Sequence, residues 1–251
     1  MEPSQIFFTK VIGILNRVSK TQQENINKAT ELVANCIKDE RTVHIWGPGG
    51  HSAIIAEEAL YRKGGLACVN PIYDPCISLS HGALKEINGL ERVPGLAKAI
   101  LSYNRVKKGD VLILGSAYGA NMVAIEGALE AKRLGAQVIA ITSPSFSKSV
   151  AKDHPARHPS KKNLYEIAHI VIDSFVPPGD AVIEIEGASQ MVAPLGTIIQ
   201  ISIYQALVAS VAKKLLQEGI QPPIWTNALE IGGLEANREY INKYYGKVKS
   251  L

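Results

Sequence analysis

Cysteine is scarce: Cys36, Cys68 and Cys76 are three in 251 residues, an odd number without C-x-x-C spacing. That excludes a disulfide framework and a zinc ribbon, and no metal is expected. Buried, reduced thiols are the expectation. Aromatic residues make up only 6%, and they are not interleaved with basic ones as a base-stacking platform requires. Charge of one sign is scarce too. The net charge of +4 is small for this length, and basic residues cluster only at 148–162, where His154, Arg157 and His158 join four lysines. That balance suits an anionic small ligand and argues against nucleic acid. No apolar run reaches the roughly 18 residues that crossing a bilayer takes. The opening MEPSQIFFTKVIGIL carries neither a basic leader nor a small-residue cleavage site, so the expected location is the cytoplasm, with no membrane partner.

What is present is 46% apolar content, enough to bury one large core. One domain over 1–251 is expected, with helices over 1–40, a sheet core over 41–219 and a C-terminal extension over 220–251. The spacing of Val11, Leu15 and Val18, then of Ile26, Ala29, Val33 and Ile37, predicts amphipathic helices over 4–20 and 22–38. From residue 41, short β-branched runs alternate with helical stretches, the pattern of a parallel sheet with crossover helices. Strands are predicted at 43–46, 67–72, 111–114, 138–142 and 170–173, each nearly continuous in apolar residues, as strands covered on both faces are. Helices are predicted at 53–63, 122–134 and 189–217, with Gly64, Gly135 and Gly219 as stops. Residues 74–88 read as an irregular binding loop, 90–103 as helical again, and QPPIWTNALEIGG as an extended run before a last helix near 235–245.

Three strand ends carry candidate chemistry. VHIWGPGGHS ends a strand in Gly47, Gly49 and Gly50 and opens a helix after Ser52, a place where backbone N–H groups and the helix dipole attract an anion. The same residues partly imitate the dinucleotide fingerprint, but its third glycine and distal acidic residue are missing; the alternative is a tight turn and nothing more. VLILGSAYGAN offers Ser116, Tyr118, Gly119 and Asn121 as donors to phosphate oxygens. Leu114 stands two before Ser116, so the G-x-S-x-G nucleophile elbow is absent. QVIAITSPSFSKS adds Thr142, Ser143, Ser145 and Ser147, residues that also make ordinary turns.

In this order, glycine loop, serine loop, threonine-serine loop, the chain resembles the SIS (sugar isomerase) family, with G-x-G-x-S after the first strand and S-x-S-G-x-T after the third. Segments outside that core, AEEALYRKGGLACVNP, LERVPG, RHPS with LYE, PPGDA, and PP with GG near the end, are similar to a poorly characterised branch of the family. The resemblance implies an α/β three-layer αβα sandwich around a five-stranded parallel flavodoxin-like sheet, with two N-terminal helices added. It also implies a homodimer or larger assembly, and a phosphorylated sugar or amino sugar held at the strand carboxyl ends. Gly49, Gly50, Ser52, Ser116, Tyr118, Gly119, Asn121, Thr142 and Ser143 are then the phosphate-binding candidates. Two departures stand out. Tyr118 replaces the second serine of the phosphate loop, and Ser80–His81 stand where the branch has histidine and glutamate before the glycine that is Gly82.

Isomerisation or β-elimination of a phosphosugar needs a carboxylate or imidazole tuned towards neutrality. Glu57, beside Glu58 on the helix after the glycine loop, His51 within that loop and His81 in the irregular loop are the candidates. Each also has a plain structural reading: a solvated helix pair, a cap, a surface histidine. Arg157, His158, Lys161 and Lys162 form a basic loop able to close on an anion or a neighbouring subunit. The expected function is phosphosugar binding, as an isomerase or lyase without cofactor; the alternative is a non-catalytic sensor or a scaffold, with Tyr118 closing the pocket in the latter case.

Overall fold

The computed structural model describes residues 2–83 and 89–251. Two long helices, α1 (Pro3–Thr21) and α2 (Gln23–Lys38), precede the sheet. They form where expected, and α2 buries Ile26, Ala29 and Val33 on one stripe, the face a 3.6-residue period predicts. The sheet strands are β1 (Val43–Trp46), β2 (Val69–Pro71), β3 (Val111–Gly115), β4 (Gln137–Thr142) and β5 (Ile170–Asp173), all parallel in the order β2-β1-β3-β4-β5. This is the flavodoxin-like order.

Side chains alternate across the sheet and so divide the interior in two. Val43, Ile45, Val111, Ile113, Ile139 and Ile141 face a core shared with α1, α2, α3 (Ile54–Ala59) and α8 (Gly196–Gln217). Trp46, Leu112, Leu114, Val138 and Ala140 face the other, filled from α4 (Leu96–Tyr103), α5 (Met122–Arg133) and α7 (Leu164–Ile167). Each fully buried Val, Leu or Ile contributes about 1.5–3 kcal/mol, so the near-continuous apolar strands are what holds the three layers together.

Several boundaries differ from expectation. The helix predicted over 53–63 is a 3-10 turn His51–Ala53 followed by α3, which stops at Ala59. The helix predicted from 189 begins at Gly196, because Ala181–Ile183 (β6) and Val192–Pro194 (β7) form an antiparallel pair before it. Pro194 ends that strand, and Ala193 sits at φ 62°, a value no helix uses. A short helix α6 (Pro144–Ser149) follows β4, and α9 (Gly233–Tyr244) lies near the C-terminus. The 220s segment is extended as expected, but it pairs with residues 64–67 through a Leu66–Ile224 bridge and buries Trp225. α8 is long and apolar enough to cross a membrane by length and composition, although no apolar run of that length was expected. Here Ile199, Ile203, Leu207, Val211 and Leu215 are buried in the core. Cys36 and Cys68 are buried, and burial pushes both thiols up to about 12; Cys76 is exposed, against expectation.

Polar groups tie the amino ends of the strands together. Asp110, 0% exposed, accepts from the Thr42 and Lys107 amides and pairs with His44 Nε2 at 3.3 Å. Asn70 accepts from the Lys249 amide at 2.7 Å and donates to His44 Nδ1 at 3.0 Å. That arrangement places the imidazole proton on Nε2, towards Asp110.

Candidate functional site

At the carboxyl ends of β1 and β3, the two loops diverge and leave a crevice of about 240 Å³. In this strand order the gap between β1 and β3 is the switch point where α/β sheets bind ligands. Gly47 makes the first turn possible: a Cβ there would overlap the Ser52 carbonyl. The backbone of Gly49, Gly50, His51 and Ser52 forms one wall, and Ala117 and Tyr118 form another. Of the residues singled out from sequence, Gly49, Gly50, His51, Ser52 and Tyr118 line the crevice.

Other candidates lie beneath its floor. Ser116 is 1% exposed, and its Oγ accepts from the Gly119 amide at 3.2 Å. Gly119 has φ 49° and the Thr142 hydroxyl lies where its Cβ would be, so only glycine closes this turn. Thr142 Oγ1 and Asn121 Oδ1 are buried without a hydrogen-bond partner among the described residues, two oxygens left over beneath the loop. Ser143 is spent locally: its Oγ caps α6 at the Phe146 amide and meets Ser145 Oγ at 3.0 Å. These hydroxyls and amides therefore shape the loops and do not open directly into the crevice.

The ring of Tyr118 leans towards Phe146, with centroids 5.9 Å apart. It narrows the crevice without closing it, so the closed-pocket scaffold loses its structural basis. Glu57 is exposed and lines a neighbouring groove with Tyr73, Asp74, Ser78 and Ser80. The structure does not bring it into the crevice. The backbone of His81 ends a 3-10 turn, Leu79–His81, but its side chain lies outside the described part of the structure, as do residues 84–88 of the binding loop.

Two carboxylates that the sequence reading did not assign line the crevice instead. Glu91, 8% exposed, accepts from the Gly50 amide at 3.1 Å and from Asn121 Nδ2 at 3.3 Å. Asn121 Nδ2 also reaches the Pro48 carbonyl at 2.9 Å, so Glu91 and Asn121 together brace the glycine loop. Asp180, strained at φ 65°, accepts from the Leu195 and Gly196 amides and caps α8; the helix terminus offsets its charge. The signals for both were the LERVPG and PPGDA segments, which contain them but were read only as marks of resemblance. Gln200, 3% exposed on the first turns of α8, completes the lining.

Within the basic loop, Lys161 and Lys162 are exposed, whereas Arg157 is turned inward. Arg157 is 7% exposed, and its guanidinium donates to the carbonyls of Ser147 and Val150 at 2.8 Å, of Ala151 at 2.9 Å and to Asn163 Oδ1 at 3.0 Å. It is a staple holding the loop after α6. Arg157→Lys, with three donors in place of a planar fork, is expected to leave two or more of these acceptors unpaired, at about 1–3 kcal/mol each. Thermal unfolding should register this as a fall in Tm of several degrees; an unchanged Tm would remove the staple role.

A family model described as SIS domain matches residues 6–143. A UPF0309 protein of Oceanobacillus iheyensis is 35% identical over 242 residues, 96% of each chain. Another, from Brucella anthropi, is 37% identical over 238 residues, 95% of this chain and 94% of its own. Among solved structures, a phosphoheptose isomerase from Neisseria gonorrhoeae superposes with TM-score 0.53 at 19% identity, covering 84% of this chain and 97% of its own. The Vibrio vulnificus NanR protein complexed with ManNAc-6P gives TM-score 0.54 at 12% identity, covering 96% of this chain and 69% of its own. At these identities the structural likeness shows the fold.

Proposed function

Because this chain belongs to the SIS-domain family, we propose that it binds a phosphorylated sugar or amino sugar in the crevice between β1 and β3 and acts on it as an isomerase or lyase. The observation that carries this reading is a partly buried carboxylate, Glu91, placed beside a glycine loop at the switch point of the sheet. The phosphate sits against the Gly49–Ser52 wall, over the turn that Ser116, Gly119 and Asn121 build, with Tyr118 bounding the sugar. Both reaction types begin with removal of a proton from carbon or oxygen. Glu91 is the group in reach as base, with His51 at the crevice mouth returning the proton. Glu57 acts only on a ligand long enough to enter its own groove. A homodimer or larger assembly and a cytoplasmic location belong to the same proposal, with one SIS domain over the whole chain and no cofactor.

The test is a thermal-shift screen with hexose, pentose, heptose and N-acetylated amino sugar phosphates. At a hundredfold excess over Kd a ligand stabilises by about 2.7 kcal/mol, roughly 5–10 °C for a chain of this size. Ser116→Ala releases the Gly119 amide and should abolish the shift for the responding sugar. If no member of the panel raises Tm, phosphosugar binding in this crevice is wrong.

A further inference from the structure

A second cavity lies at the opposite end of the sheet, where the amino ends of β1 and β2 meet α2, α9 and the extended segment around Pro223. Its volume is about 420 Å³, within the ~300–1,000 Å³ common for small-ligand sites. One side is apolar and aromatic, formed by Ile37, Pro223 and Tyr240. The Tyr240 ring is held in place, edge-on to Trp225 with centroids 6.0 Å apart and stacked on Tyr244 at 6.4 Å. The rim is basic: Arg41, Lys243 and Lys247 line it, and Glu40 is the one carboxylate among the lining residues. Lys38 is also there but is bound to Glu218 at 2.6 Å, whereas no ion pair among the described residues involves Arg41, Lys243 or Lys247.

We propose that this cavity is a second ligand site, for a nucleoside phosphate whose base lies against Tyr240, Ile37 and Pro223 and whose phosphates meet Arg41, Lys243 and Lys247. An aromatic ring fixed by its neighbours offers a face to a planar base at little entropic cost. Lys247 Nζ donates to the Glu40 carbonyl at 3.4 Å and Lys243 Nζ lies 5.6 Å over the Tyr244 ring, but with no carboxylate partner among the described residues the three cations on this exposed rim still attract phosphate oxygens. Thr42, Gln221 and the Tyr240 and Tyr244 hydroxyls on the lining are the uncharged oxygen and nitrogen groups available to the ribose. The inference does not depend on what the crevice binds, since the two cavities share no lining residue.

Isothermal titration of the full chain with ADP and ATP tests it, with pyrophosphate and ribose 5-phosphate as controls. One ADP per chain is expected, binding more tightly than either control and weakening with added salt. Arg41→Glu and Lys243→Glu should each weaken it roughly tenfold or more, the worth of a charge-assisted hydrogen bond, whereas Ser116→Ala, at the far end, should not change it. Both substituted side chains are exposed, so the variants should melt with the wild type; Tyr240→Ala, read in the same titration, tests the base platform separately. No heat from ADP or ATP at millimolar concentration would overturn the proposal. Equal affinity in both charge variants would overturn it too, as would pyrophosphate binding as tightly as ADP, which would leave only a patch of positive charge.

Discussion

Asp110→Ala is expected to lower Tm by roughly 10 °C or more. The carboxylate is fully buried and receives the Thr42 and Lys107 amides and His44, so truncation strands three donors at once. Each buried donor left unsatisfied costs about 1–3 kcal/mol, and each kcal/mol moves Tm by about 2–4 °C in a chain of this size. Burial raises the Asp110 carboxyl, but the hydrogen bonds from His44, Thr42 and Lys107 outweigh it and hold the group below its ordinary value of 3.8. A lowered folded pKa means stability that is present above the unfolded value and lost as pH falls through the folded one. Asp110→Asn should therefore be less stable than the wild type at neutral pH, with the gap narrowing below about pH 4. Calorimetry of the three proteins at pH 7 and pH 3 decides it, and a gap that does not change with pH would refute the role of the charge.

Glu91→Gln should lower turnover of the responding sugar phosphate by roughly 10²–10⁴-fold, the usual worth of a positioned acid or base, while leaving its thermal shift in place. Glutamine keeps an oxygen for the Gly50 amide. Its new NH₂ group would face Asn121 Nδ2, so the 3.3 Å bond between them is lost while Asn121 keeps its stronger bond to the Pro48 carbonyl at 2.9 Å. Loss of binding along with turnover would make Glu91 a brace for the glycine loop only. Full turnover in the variant would exclude it as base and return the assignment to His51. A sugar phosphate that binds yet is never turned over by the wild type would favour the sensor reading.

The fold was largely legible because its determinants are local and repetitive. Strands covered on both faces must be apolar throughout, and Val43–Trp46, Val111–Gly115 and Gln137–Thr142 carry that signature in the letters themselves. The same is true of the stripe on α2, and of the glycine and serine loops, whose conformations demand those residue types. The β6–β7 pair escaped because three-residue strands with exposed Val192 have no period to detect. Composition could not separate the two fates of a polar residue, either: Ser116 and Thr142 have the side chains of phosphate ligands but are buried, Ser116 in the turn it closes at Gly119 and Thr142 at the end of β4.

The layered α/β architecture, the five parallel strands and the three loops at their ends were legible in the letters, since each follows from residue type and local spacing. Which side chains meet was settled by packing. It turned Arg157 inward, left Glu57 in a separate groove, and carried Glu91 across 41 residues of chain to the Gly50 amide. Such long-range contacts depend on how helices and loops from different parts of the chain pack over the sheet, and no local pattern encodes that packing.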